Sequence, residues 1–251
     1  MTVYFVGAGP GAADLLTIRA HRLITTVPVL LYAGSLVPPE VLAGARPDAR
    51  LVDTADLDLD AITAELAAAD QAGHDVARLH SGDPSLFSAV AEQARRLDAA
   101  GVRWQIVPGV PAFAAAAAAL GQELTLPGVA QTVVLTRTAA RATPMPPGEE
   151  LAALAATGCT LVLHLAVQNI DQVTAQLLPR YGPDCPAAVV ARASWPDELV
   201  LRCRLAELGG QVRDHDIRRT AIIVVGPVLA AGFFRDSHLY SAGRDRGPAR
   251  A

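Results

Sequence analysis

Short apolar runs alternate with stretches of helical period along most of the chain. Residues 3–6 read as a strand, followed by Gly-Ala-Gly-Pro-Gly at 7–11 and a helix expected near Asp14. Residues 29–32 and 50–52 are further strand candidates, and 59–72 has helical period with Gly73 as its stop. Residues 76–80 form a fourth run, followed by Ser81, Gly82, Asp83, Pro84 and a helix to about Ala100; a fifth run, 104–107, ends at Pro108 and Gly109. Residues 111–120 are nearly all alanine and predict a closely packed helix. After a break at Leu126, Pro127 and Gly128 the alternation resumes, with strands predicted over 132–136, 160–165, 187–191, 199–205 and 220–225 and helices over 149–157 and 170–178. Strands separated by helices predict an α/β fold with two α/β domains and mostly parallel or mixed sheets. The expected division is 1–122 and 131–235, with 123–130 as the junction and 236–251 as a flexible tail.

Composition changes this picture little. Hydrophobic residues make up 51% and aromatic residues 4%, so the core is expected to be Ala, Val and Leu. A net charge of −4 gives no cationic surface with which to displace counterions from a duplex, which argues against a nucleic-acid partner. The three cysteines, Cys159, Cys185 and Cys203, have no metal-ligand spacing; they are expected to be reduced, buried and cytoplasmic, with no metal site. No apolar run approaches the ~18 residues of a membrane span, so no membrane partner is expected.

The chemistry gathers at glycine turns placed at strand ends, where an open α/β sheet offers its ligand crevice. The first, at 7–11, departs from a dinucleotide fingerprint because Ala12 stands where the third glycine is needed and Pro10 lacks an N–H. In the second, Asp83 before Pro84 also fits a helix N-cap with proline at the first helical position. The third is Pro108, Gly109, Val110, Pro111 and Ala112.

Taken in order, Gly-x-Gly-Pro-Gly followed by Leu-Leu-Thr, then Gly-Asp-Pro-x-x-Phe, then Pro-Gly-Val-x-Ala resembles the tetrapyrrole methyltransferase family over about residues 2–230. Residues 32–38, 131–137 and 163–170 resemble one branch, which methylates carbon 11 of a precorrin. The resemblance implies a ligand cleft between two domains, S-adenosylmethionine as donor with S-adenosylhomocysteine as product, a tetrapyrrole acceptor and a homodimer. Carried over residue by residue, it implies cofactor contacts at Pro10, Ser81, Gly82, Asp83, Leu86, Pro111, Ala112, Leu165, Ala193, Thr220 and Ala221. The acceptor is a polycarboxylate, for which Arg137, Arg141 and Arg192 are candidate ligands beside Tyr32 and Ser35. The methyl of a sulfonium is already activated, so few catalytic side chains are expected. Tyr32 and His80 are the candidates, and His80 and His164 also read as hydrogen-bonded core histidines. Open alternatives are a cobalt-loaded acceptor, ribosomal RNA, a nicotinamide oxidoreductase and a nucleotide-sensing module.

Overall fold

The computed structural model describes residues 1–139, 143–238 and 241. The chain forms two compact units, Met1–Ala116 with Arg192–Glu198, and Ala117–Ala191 with Leu199–Ala251. The division falls inside a helix at Ala116, so the expected junction at 123–130 lies within the second unit. Most of the expected tail, 239–240 and 242–251, lies outside the described residues.

The first unit runs β1 (Val3–Gly7), α1 (Ile18–Thr26), β2 (Val29–Tyr32), α2 (Pro39–Leu42), β3 (Arg50–Asp53), α3 (Leu59–Gln71), β4 (Val76–His80), α4 (Val90–Ala99), β5 (Trp104–Val107) and the start of α5 (Ala112–Ala119). Its five strands pair in the order β3-β2-β4-β1-β5, every pair parallel. Side chains alternate across a strand, so successive positions feed two cores. Val3, Phe5, Leu31 and Val76 pack with Leu66 of α3 and Leu97 of α4. Val6, Leu30, Ala77 and Leu79 pack on the opposite face with Ala20 and Ile24 of α1. Burial on both faces explains why β4 is buried at all five positions. Complete burial of Leu66 or Leu97 stabilises the fold by about 1.5–3 kcal/mol each.

Two helix starts differ from expectation. The segment near Asp14 is a single 3-10 turn, and α1 begins after Thr17, whose hydroxyl accepts the Ala20 N–H at 3.1 Å. After β4 the helix begins at Val90 rather than at Pro84, because Phe87 and Ala89 hold left-handed backbone, φ 53° and 51°, which breaks the helical run. Asp83 therefore does not cap a helix.

The second unit continues with β6 (Val133–Arg137), α6 (Leu151–Ala155), β7 (Thr160–His164), α7 (Ile170–Tyr181), β8 (Pro186–Ala191), β9 (Leu199–Arg204), α8 (Leu208–Asp214) and β10 (Ala221–Val225). The sheet order is β6-β7-β10-β8-β9. Here β6 and β7 are parallel, while β10 runs antiparallel to β7 and β8, and β8 antiparallel to β9. One core holds it together: Leu161, Leu163, Val189 and Ile223 pack with Leu177 of α7 and Leu208 and Val212 of α8. The cysteines are free thiols, but only Cys185 is buried; Cys159 and Cys203 are half-buried, which corrects the expectation for those two.

Candidate functional site

In the first unit the three glycine turns interlock at the C-terminal ends of β1, β4 and β5. Gly9 N–H donates to Gly82 O at 3.3 Å, and Gly82 N–H returns a bond to Gly9 O at 2.7 Å. Gly7 and Gly109 touch backbone to backbone: a Cβ on Gly7 would lie 2.5 Å from the Gly109 Cα and 2.8 Å from Gly82 O. A Cβ on Gly82 would stand 3.3 Å from the Ala112 nitrogen and 3.6 Å from the Pro111 Cα. Glycine is thus required by close approach of three chain segments. The Asp83 carboxylate completes the tie, accepting the Gly109 N–H at 2.8 Å and the Ser85 N–H at 2.8 Å, with the Ser85 hydroxyl as a third donor. Partial burial pushes the Asp83 carboxyl up, but those three donors together outweigh it and hold the group below the ordinary carboxylate range.

Pro10, Gly82, Asp83, Pro111 and Ala112 are thereby brought to one edge of this sheet, with Ser81 and Leu86 beside Gly82 and Asp83. Ala193 is buried in the added segment of the same unit, next to Ser194, whose hydroxyl accepts the Ala12 N–H at 3.0 Å. The first turn has few donors left for an outside ligand. Ala8, Gly9 and Ala12 donate to His80 O, Gly82 O and Ser194 Oγ, and Pro10 has no N–H. A phosphate needs such N–H groups converging on it, so this turn does not suit a dinucleotide. It suits a ligand without phosphate that is bound by carbonyls, apolar contacts and a few amides, as adenosine joined to a sulfonium requires.

Beneath the edge lies a buried polar chain. Arg78 donates from Nη1 to Thr54 Oγ1 at 3.0 Å and from Nε to Gln93 Oε1 at 3.4 Å; Thr54 Oγ1 donates on to Tyr32 O at 3.1 Å. Both guanidinium partners are neutral, and burial lowers the Arg78 pKa to about 10. His80 is pushed down to about 3 by burial and by the charge of Arg78, against the opposing pull of the Ser88 carbonyl. It packs against Phe5 in a tilted arrangement, 5.7 Å between centroids and 58° between planes, and its Nε2 has no hydrogen-bond partner among the described residues. Burial and the neighbouring positive charge both disfavour the protonated ring, which fits the reading of His80 as a core histidine. Tyr32 is half-buried at the end of β2, and Ser35 is exposed. The turn between them is fixed by Asp53, whose carboxylate accepts the Gly34 N–H at 3.0 Å.

The second unit gathers its own candidates at one sheet edge. Arg137 pairs in register with His164 at the ends of β6 and β7, and Leu165 follows; β10 begins at Ala221, opposite Ala191 of β8. Leu165 and Thr220 hold left-handed backbone, φ 52° and 53°, and the Leu165 side chain is 59% exposed. The Leu165 carbonyl accepts the Thr138 hydroxyl at 3.0 Å. The Arg137 guanidinium donates to the carbonyls of Thr138 at 3.3 Å and Thr143 at 2.9 Å. Arg141 lies outside the described residues. Burial lowers His164 to about 4. In the first unit's added segment, Arg192 pairs with Asp197 at 2.7 Å, about half exposed. Sequence reasoning missed Trp195, whose indole N–H donates to Pro10 O at 2.9 Å. The one local signal was a tryptophan in a polar, proline-containing loop of a chain that has two tryptophans in all.

The first unit carries a parallel sheet with interlocked glycine turns and the second a mixed sheet, and the profile of the tetrapyrrole (corrin/porphyrin) methylases matches residues 2–209. The chain belongs to that family. It is 61% identical over 246 residues to a precorrin-4 C(11)-methyltransferase of Rhodococcus erythropolis, covering 98% of this chain and 99% of that protein. Among solved structures, a cobalt precorrin-4 methyltransferase of cobalamin biosynthesis superposes with a TM-score of 0.87 at 38% identity, covering 91% of this chain and 95% of that one. A uroporphyrin-III C-methyltransferase from Thermus thermophilus, complexed with S-adenosylhomocysteine, superposes with a TM-score of 0.77 at 31% identity over 92% and 94% of the two chains.

Proposed function

We propose that this protein transfers a methyl group from S-adenosylmethionine to carbon 11 of precorrin-4, giving precorrin-5, in cobalamin biosynthesis. The observation that carries this reading is the end-to-end identity of 61% with a precorrin-4 C(11)-methyltransferase. Identity is lower, 38%, to a cobalt precorrin-4 enzyme, and that difference favours the metal-free acceptor. When bound, the donor would supply a sulfonium methyl that a nucleophilic ring carbon attacks in line, the carbon–sulfur bond breaking so that S-adenosylhomocysteine leaves. The chain's own contribution is to hold and orient, which can account for about 7–11 kcal/mol of barrier lowering. In the first unit Pro10, Ser81, Gly82, Asp83, Leu86, Pro111, Ala112 and Ala193 hold the donor, and in the second Leu165, Thr220 and Ala221.

Acceptor carboxylates are assigned to Arg137, Arg141 and Arg192, with Tyr32 and Ser35 beside them. Exposed ion pairs of the kind Arg192 makes are worth only about 0–1 kcal/mol, so its guanidinium is readily exchanged onto a substrate carboxylate. No metal takes part in this reading, and the protein acts in the cytoplasm as a homodimer without a nucleic-acid partner. Among the described residues no helix is long and apolar enough to cross a membrane. The test is incubation with S-adenosylmethionine and a panel of precorrins, with product mass and methyl position read by mass spectrometry and NMR. A methyl at any position other than carbon 11 overturns the assignment, and turnover confined to cobalt-loaded acceptors moves it to the anaerobic route. Light scattering at micromolar concentration tests the dimer, which a monomer-sized particle refutes.

A further inference from the structure

The segment Arg192–Glu198 belongs with the first unit, although the strands flanking it in sequence, β8 and β9, belong to the second. Two of its side chains hold the first glycine turn. Trp195 Nε1–H donates to Pro10 O at 2.9 Å, and Ser194 Oγ accepts the Ala12 N–H at 3.0 Å, across 185 and 182 residues of sequence. Between those two anchors lies Gly11, where a Cβ would fall on Cδ1 and Nε1 of the indole. The ring can therefore close on the turn only because position 11 is glycine.

The segment is itself braced. Ser194 N–H donates to Glu198 Oε2 at 2.6 Å, Trp195 N–H to Arg192 O at 2.9 Å, and Arg192 Nε pairs with Asp197 Oδ1 at 2.7 Å. Arg192 and Ser194 hold left-handed backbone, φ 47° and 66°. Residues with a Cβ keep that conformation where surrounding contacts over-determine it, and such positions cluster at ligand sites. A turn built from glycine and proline has no long side chains of its own with which to fix its shape. What fixes residues 10–12 here is a preformed clamp from the far end of the sequence.

We propose that Trp195 and Ser194 are positioning residues for the methyl donor: they set the shape of the turn at residues 10–12, and through it the affinity for S-adenosylmethionine. The proposal rests on the reading that Pro10 contacts that donor. Trp195 acts through the turn and takes no part in the transfer itself.

The full-length protein is titrated with S-adenosylhomocysteine by calorimetry, with the thermal midpoint recorded for every variant. Trp195→Phe keeps a ring but removes the N–H, and Ser194→Ala removes the acceptor. Each is expected to weaken binding about tenfold and to raise KM for S-adenosylmethionine, while kcat and the acceptor KM stay within about twofold; a tenfold loss corresponds to one hydrogen bond of ordinary net strength. Gly11→Ala is expected to weaken binding at least thirtyfold in the parent chain but less than threefold when Trp195→Ala is also present, because the clash has one named partner. Trp104→Phe leaves Trp195 as the sole indole, whose emission is expected to shift on titration. Trp195→Phe and Ser194→Ala both binding within threefold of the parent, while Asp83→Ala loses affinity, overturns the clamp and leaves the cofactor reading standing. Absence of S-adenosylhomocysteine binding by the parent chain overturns both.

Discussion

The first unit turns its chain at the β1, β4 and β5 ends with glycines, whereas the second turns its chain at the β7 end and the β10 start with residues that carry a Cβ. Gly7, Gly82 and Gly109 sit so close that added side-chain atoms collide with backbone. Leu165 and Thr220 instead accept left-handed backbone at φ 52° and 53°, which costs about 1–2 kcal/mol per residue. What the second edge gains is side chains: Leu165 projects at 59% exposure, where glycine would offer nothing. One edge is thus a tight backbone surface suited to a flat, polar ligand. The other presents apolar and hydroxyl groups from strained positions, with Thr138 bonded to the Leu165 carbonyl as a brace.

The largest test of this contrast is Gly109→Ala. Its Cβ would press on Gly82 O and stand 2.7 Å from the Gly7 Cα. Overpacking against backbone is expected to cost about 3 kcal/mol, read from the urea midpoint at constant m-value; a loss below about 1 kcal/mol would show that the turns separate easily. Next in size is a pH effect to which each unit contributes one histidine. His80 and His164 sit at about 3 and about 4, below the ordinary value of about 6.5. The unfolded chain therefore takes up protons that the folded chain refuses. Stability is full above about pH 6.5 and falls as pH drops toward the folded values, by about 1.4 kcal/mol per histidine at pH 5.5. Chemical denaturation across pH 5 to 7.5 should show this slope, and His80→Gln should halve it. An unchanged slope in that variant would mean His80 titrates as an exposed group does.

Thr220→Gly probes the strained edge directly. Relief of the left-handed conformation outweighs the added freedom of the unfolded chain, for a net gain of about 1 kcal/mol. The opposite exchange, Gly82→Ala at φ 69°, should lose stability. The KM for S-adenosylmethionine is expected to rise in both, and a Thr220→Gly variant with unchanged KM would separate strain from binding. The smallest effect is expected at Gly210→Ala in α8, where a Cβ meets nothing within 4 Å. Helix propensity alone predicts about 0.5 kcal/mol of stabilisation there, visible as a small rise in Tm; a loss would mean that the helix needs its glycine.

This asymmetry also governs how much the sequence reveals. Strands such as β4 and helices such as α3 are legible because apolar spacing is local and Gly73 ends the helix. The three glycine turns are legible because close approach leaves glycine as the one tolerated residue. The second edge is not, since nothing in Leu165 or Thr220 announces a positive φ. α8 escaped notice because Gly209 and Gly210 erase its helical signal, although Leu208 and Val212 are buried in the core. Asp83 looked like a cap because the local pattern Asp-Pro fits one. Its true acceptor role depends on Gly109, 26 residues away. Arg78 gave no sign of burial beside Thr54 and Gln93, because that chain of bonds spans 24 and 15 residues.

The clamp on the first turn also sets a schedule for synthesis. Residues 1–116 leave the ribosome well before Arg192 does; at 5–20 residues per second the interval is roughly 4 to 15 s. During that time the parallel sheet can form, but the Pro10 carbonyl and Ala12 amide still face water. Their native partners arrive only with Ser194 and Trp195, after much of the second unit has been made. The nascent first unit is then a nearly complete half whose first glycine turn stays unclamped until Ser194 and Trp195 have been made.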